Sequence, residues 1–304
     1  MLEVGLESHV KLQKTGFVWN QRYKGTTTRD IFYELFTPIV KCDTEEADTL
    51  SPKYLCRSLN VKQLCRVCTC PTVDTDKFSL KHSYKTKGKI KKLVEAREVK
   101  KLKAMSQHPF KSAFYKVRFN LGNDRSIHGA TPFEKLHHID LGIFPRVRDV
   151  FFKMVGPTSA LAHDINGLAT VYGKLHSHQS DRTMPATNFS NGIQAGKLMA
   201  REYKGVMLIL ATVLMSTKGR ELLSGKRRFK QNETKDDWLM LTELLLQWEC
   251  FLNEGKMKRQ LVLRLKKKHK YIMYVIKKVA QRVQKTGMKF VKYDHGILHM
   301  IGDI

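Results

Sequence analysis

Acidic residues are scarce in this sequence. Twenty-eight Asp and Glu stand against 55 Lys and Arg, a formal charge of +27, and no acid occurs between Lys256 and Lys292. No ordinary fold requires that imbalance. A polyanion partner explains it, because Lys and Arg release counterions from phosphates, although ribosomal RNA or acidic lipid would satisfy the same charge as DNA. Long apolar runs are missing too. The longest, Val206 to Met215, is too short to span a bilayer. The opening Met1-Leu2-Glu3-Val4 has neither a basic start nor an apolar run, so no signal peptide is expected. Low-complexity tracts and internal repeats are absent, which argues against a solenoid or a tail. The six cysteines are not spread as in a secreted disulfide framework, since five lie between Cys42 and Cys70. Thiol–metal ligation in a reduced intracellular compartment fits that crowding better.

What is present suffices for a folded protein. Of 304 residues, 42% are hydrophobic, enough for a core in one large domain or two ordinary ones. Phe17-Val18-Trp19-Asn20 and Arg22 to Thr27 read as a hairpin, followed by an apolar strand from Ile31 to Val40 with Pro38 at an edge or bulge. Residues 43–82 read as loop-rich. Leu93, Ala96, Val99, Leu102 and Met105 form a helical stripe within Lys85 to Val117. Thr131, Pro132 and Glu134 resemble an N-cap, first and third helical positions, so a helix should carry Leu136, His137, Ile139 and Asp140. A further helix after Pro145 should hold Val147, Val150, Phe151 and Met154 and end at Gly156-Pro157. Gln179 to Gly196 reads as a polar loop. Helices are expected over Lys197–Met215, over Trp238–Leu252 and through the basic last third, where Tyr271, Met273, Tyr274, Val275, Ile276 and Val279 supply an apolar face.

Four sets of residues carry chemistry. Asp43 follows an apolar strand directly, which is where two-metal nucleases place an ion-binding carboxylate; Glu45, Glu46 and Asp48 add negative potential, though acidic turns after strands are common. Cys65-x2-Cys68 lets two thiolates reach one tetrahedral ion, with further ligands from Cys70, His82, Cys56 or a later histidine. No His-x3-His follows at finger spacing. His137 and His138 lie near Glu134 on a predicted helix, and His295 and His299 are one helical turn apart, a spacing that suits a metal or a phosphate. The basic stretches Lys77–Arg118 and Lys256–Lys292 interleave cations with Phe114, Tyr115, Tyr271 and Tyr274, a pattern that grips phosphates and stacks on bases.

Several of these segments, in this order, resemble the Plavaka-type transposases, relatives of the CACTA cut-and-paste elements. They are Asp43-Thr44-Glu45-Glu46-Ala47-Asp48, Cys65-Arg66-Val67-Cys68-Thr69-Cys70-Pro71-Thr72 and Ile127 to His137 with Leu141-Gly142-Ile143-Phe144. Phe189-Ser190-Asn191-Gly192-Ile193, Glu202-Tyr203-Lys204-Gly205-Val206 and His295-Gly296-Ile297-Leu298-His299 complete the series. The likeness runs through nearly the whole chain. It implies an α+β, helix-rich fold: a partial ribonuclease H-like core with a large helical insertion and a Cys-x2-Cys element. It further implies an N-terminal sheet with Cys/His element over 1–82, a helical insertion over 83–196, and a basic helical part completing the catalytic region over 197–304.

The same resemblance makes Asp43 the second and Glu202 the third catalytic, metal-binding acid. Cys65 and Cys68 become the Cys-x2-Cys element, joined by His82 or His137. Lys266, Lys267, Lys268, Lys270, Lys277 and Lys278 are expected to hold DNA. The family's first acid should precede the Phe17 region, and Glu3, Glu7 and Asp30 lack its strand context; Asp294 is an insertion against the family spacing. The expectation is therefore a DNA transposase, truncated or decayed and inactive by itself. Complete, it would cleave and join DNA phosphodiesters with two Mg²⁺ or Mn²⁺, with Zn²⁺ at the cysteines. The alternative is a non-enzymatic, zinc-stabilised nucleic-acid-binding protein derived from a transposon, and a third reading is a structural protein on RNA or chromatin. DNA is the expected partner, in the nucleus, with no membrane and with a homo-oligomeric transposition complex. Lys266-Lys267-Lys268-His269-Lys270 would serve as an import signal.

Overall fold

The computed structural model describes residues 2–23, 27–37, 39–55, 61–75, 77, 82–119, 124–177, 189, 192–194, 198–224, 232–254, 258–280 and 292–300. Cys56, Pro38 and most of the Gln179–Gly196 loop lie outside them, as does the side chain of His295. The described residues are helix-rich, with one small sheet among them. The chain divides into two compact units, Met1–Thr75 with Leu80–Phe133, and Glu134–Gly302. Among the described residues no helix is long and apolar enough to cross a membrane.

The first unit opens with α1 (Leu2–Thr15), which stops at Gly16. Gly16 has φ +62° and returns its N–H to the Leu12 carbonyl at 2.9 Å; a side chain there would strike the ring of Phe32. Strand β1 (Phe17–Tyr23) then pairs antiparallel with β2 (Thr27–Tyr33), placing Val18 opposite Phe32 and Trp19 opposite Ile31. Phe17–Asn20 and Arg22-Tyr23, expected to pair with each other, therefore lie in one strand whose partner is Thr27–Tyr33, and strand structure ends at Tyr33 rather than Val40. Apolar cross-strand pairs set this register. Thr37 makes an isolated bridge with Phe119, and the Val40 N–H donates to the Ala130 carbonyl at 2.7 Å. Nor is the strand buried: Trp19 is 60% and Phe32 59% exposed.

Next come α2 (Thr44–Leu50), α3 (Lys87–Glu95), α4 (Val99–Ala104) and the single turn α5 (Ile127–Ala130). The helical pattern read over Lys85–Val117 is broken twice, each time by the same closure. Arg97 takes φ +53° and donates to the Val94 carbonyl, while the Glu98 N–H reaches the Leu93 carbonyl. Ser106 takes φ +54° and donates to Lys103, while Gln107 reaches Leu102. These are six-to-one and five-to-two bond pairs that end a helix through a left-handed residue. Ser106 Oγ also accepts from the amides of Lys62 and Gln63 at 2.8 and 3.0 Å, which pins the segment before the cysteines. Arg97 is exposed and carries a Cβ penalty of roughly 1 kcal/mol in this conformation. Arg97→Gly should therefore stabilise the protein by about 0.5–1 kcal/mol, read as a higher urea midpoint with unchanged slope.

Leu102, Met105, Phe114, Tyr115, Val117, Phe119 and Ile127 form the core of this unit with Ile90 and Ala130. Thr131 does not cap the following helix. It closes α5 instead, its hydroxyl donating to the Ile127 carbonyl at 3.1 Å. Glu134 takes over the capping role, one of its oxygens accepting the His137 N–H at 2.7 Å.

The second unit begins with a π-helical segment, Leu136–Ile143, continuous with α6 (Phe144–Val155), which ends at Gly156 with φ +95° as the sequence predicts. Then follow α7 (Ala160–Ser177), α8 (Ala200–Met215), α9 (Thr217–Ser224), α10 (Asn232–Leu252), α11 (Arg259–Ala280) and α12 (Lys292–Met300). Phe151 meets Trp238 edge-on at 5.2 Å, and Val206, Ile209, Leu210, Leu241, Leu245, Trp248, Ile272 and Ile276 are buried around them. This core also holds charge. Lys135 Nζ lies 2.9 Å from both Asp140 and Glu249, and Lys204 adds a third contact to Glu249 at 3.0 Å. Burial lifts the Asp140 carboxyl above its ordinary range in spite of Lys135. Burial pushes Glu249 the same way, yet Lys135 and Lys204 together hold it below the usual value.

Candidate metal and nucleic-acid sites

Cys65 and Cys68 sit on a tight backbone turn in the first unit, both buried, with their sulfurs within 4.8 Å of each other. The N–H groups of Val67 and Cys68 both donate to Cys65 Sγ at 3.4 Å. Two amides aimed at one sulfur favour its thiolate, as a metal ligand requires. The turn is held from both sides. The Lys85 N–H bonds the Val67 carbonyl at 2.8 Å, and the Thr69 N–H bonds the Ser83 carbonyl at 2.9 Å. Lys85 Nζ, itself fully buried, donates to the Cys65 carbonyl at 2.7 Å and the Met105 carbonyl at 3.2 Å. Burial pushes that amine down to about 8.

The Cys68 thiol is pushed far up, first by its hydrogen bond with Cys65 and second by burial. A divalent cation entering this pair must displace its protons, so binding is coupled to proton release. Cys65 and Cys68 offer two sulfur donors that could hold a metal ion such as zinc. Cys70 is buried two residues on and directs its thiol to the Pro71 carbonyl at 3.4 Å. Among the described residues, His82 is not grouped with these two thiols. His137 instead holds Glu134 through Nδ1 at 2.9 Å.

The two carboxylates expected to bind catalytic metal have local roles. Asp43 is the N-cap of α2, and its Oδ1 accepts the Glu46 N–H at 2.7 Å. Glu202 is the third residue of α8, and its Oε2 accepts the Met199 N–H at 2.6 Å. Each satisfies an orphan amide at a helix N-terminus, where a negative charge is also favoured by the helix dipole. Neither joins a group of three metal-capable side chains among the described residues.

The basic face of α11 is partly committed. Lys268 Nζ bonds Gln247 at 2.9 Å and lies over the Phe251 ring, and Lys278 Nζ pairs with Asp237 at 3.1 Å. Lys277 is half-buried, whereas Lys266, Lys267 and Lys270 are exposed. Tyr271 and Tyr274, expected on the apolar face, are 45% and 49% exposed on the outward side. No family model, curated protein or solved structure matches this chain.

Sequence reasoning passed over the buried charges. Asp48 read as one of several acids near Asp43, yet it is 2% exposed and lies 3.0 Å from Lys53 and 3.8 Å from Arg66. Arg66, between the two cysteines, spreads its guanidinium over the Phe133 ring at 4.0 Å and donates to the Thr131 and Pro132 carbonyls. Arg66 therefore ties the thiol turn to the end of α5. Its position inside Cys-x2-Cys was visible in the sequence, but its partners lie about 65 residues away and carry no local signal.

Proposed function

We propose that this chain is a zinc-stabilised, DNA-binding protein related to the Plavaka-type transposases. In this reading the β1–β2 hairpin belongs to a ribonuclease H-like core, and the protein acts on DNA in the nucleus. The observation that carries the zinc is the turn at Cys65–Cys68, where two backbone amides converge on one sulfur. Cys65 and Cys68 would hold the ion, and the ion would supply cross-linking of chain segments rather than reaction chemistry. The acid-free, lysine-rich outer face of α11 supports the DNA partner. The capping of helices by Asp43 and Glu202 favours binding over cleavage for the protein as it stands. A transposase that cleaves and joins DNA with Mg²⁺ or Mn²⁺ is the competing reading, favoured by the order of the Asp43, Cys65–Cys68, His137 and Glu202 motifs.

The purified protein should carry about one zinc per chain, lost in Cys65→Ser and Cys68→Ser. It should bind duplex DNA with steep salt dependence, unaffected by Asp43→Ala. Manganese-dependent nicking abolished by Asp43→Ala would establish the transposase instead. A zinc-free protein that prefers RNA would defeat both.

A further inference from the structure

The outward arc of α11 combines two features that seldom meet on a solvated helix. Leu265, Ile272, Met273, Val275, Ile276 and Val279 are buried on one side. The other side carries Lys266, Lys267 and Lys270, and beside them Tyr271 and Tyr274. The two rings are stacked, with centroids 6.3 Å apart and planes within 23°. The Tyr271 hydroxyl reaches Met240 Sδ on α10 at 3.5 Å, which fixes one edge of the platform. A solvated helix face has no use for two large aromatic side chains about half exposed, held in mutual contact and surrounded by uncompensated lysines.

We propose that this face binds single-stranded nucleic acid, with bases stacking on Tyr271 and Tyr274 and phosphates held by Lys266, Lys267 and Lys270. The proposal rests on the nucleic-acid partner argued above and adds the form of the strand and the residues that read it. In a duplex the base faces are already stacked inside, so the rings could reach none of them and only the lysines would contribute. In a single strand every base offers a free π-face, and phosphates follow at each nucleotide. No acid of α11 itself opposes those phosphates, and Asp237 on α10 is paired with Lys278.

The test is fluorescence anisotropy of the whole chain with a labelled strand of about 20 nucleotides and with the duplex of the same sequence, at several salt concentrations. The paired substitution Tyr271→Ala with Tyr274→Ala should weaken single-strand binding by about tenfold or more and leave its salt slope unchanged. Duplex binding should stay within about twofold. Tyr271→Phe with Tyr274→Phe keeps the rings and should bind like the parent, and circular dichroism should show all forms equally helical. Single-strand affinity indifferent to the alanine pair, or lost equally for both substrates, overturns the platform while leaving DNA binding intact. A parent chain that binds neither substrate at any salt overturns the DNA-binding reading itself.

Discussion

Replacing Asp48 by alanine should destabilise the protein by about 3–5 kcal/mol, an effect large enough to unfold most of a small unit at body temperature. Lys53 and Arg66 flank this carboxylate at 3.0 and 3.8 Å, and all three side chains are at most 2% exposed. The cost does not come from losing an attraction in water. It comes from leaving two cations in a site where water cannot replace the missing charge. Lys53 keeps one bond to the Tyr54 carbonyl at 2.8 Å, and Arg66 keeps its bonds to Thr131 and Pro132, so neither can swing out without abandoning them. Asp48→Asn retains the shape and one acceptor and should lose less. Urea titrations of the two variants would decide the matter, and equal stability of Asp48→Ala and the parent would show that water enters the site.

Acid should weaken the first unit well before its surface carboxylates are protonated. His128 is fully buried against Tyr115, whose hydroxyl lies 3.0 Å from Nε2. Burial first, and the Lys85 ammonium second, push this imidazole down from 6.5 to about 3. The folded state keeps His128 neutral while the unfolded chain takes up a proton below about pH 6.5. Stability is therefore fully present above that pH and falls with acidification by up to about 1.4 kcal/mol per pH unit, roughly 4 kcal/mol in all by pH 3. Raising the pH above 7 should leave this contribution untouched. His128→Gln, which can still hydrogen-bond Tyr115, should start from a lower stability but show a shallower decline between pH 6.5 and 4. A parallel decline in both proteins would assign the acid sensitivity to other groups.

Local chemistry was legible in the sequence, and distant partnership was not. The helices α6, α8, α10 and α11 follow from apolar spacing, with Pro145 and Gly156 marking the ends of α6, because those signals act within a few residues. The Cys-x2-Cys turn was legible for the same reason. The Ile31–Val40 run misled, since an apolar stretch says nothing about what pairs with it, and here β1 takes only its first three residues. The breaks at Arg97 and Ser106 were invisible because neither residue is a glycine; Ser106 is held left-handed by a buried hydroxyl that serves Lys62 and Gln63 across 43 residues or more. The charged core of Lys135, Asp140, Lys204 and Glu249 spans 114 residues of sequence and reads there as four ordinary surface residues. Asp43 and Glu202 show the converse. Their types suited a metal, and the helix start beside each supplies a nearer partner.

The wide turn at Leu136–Ile143 bears on how this chain tolerates changes in length. A π-helix closes its hydrogen bonds over five residues where an α-helix uses four, so it holds surplus backbone inside an otherwise continuous rod. Removing a residue there lets the ladder tighten without opening an end to solvent. The same deletion in α8 or α10, whose bonds are already minimal, rotates every later side chain away from its place in the core. The stretch carrying His137, His138 and Asp140 is thus a joint in the spacing between the thiol-bearing segment and the helices after it, and relatives of this protein should differ in length there before they differ in α8.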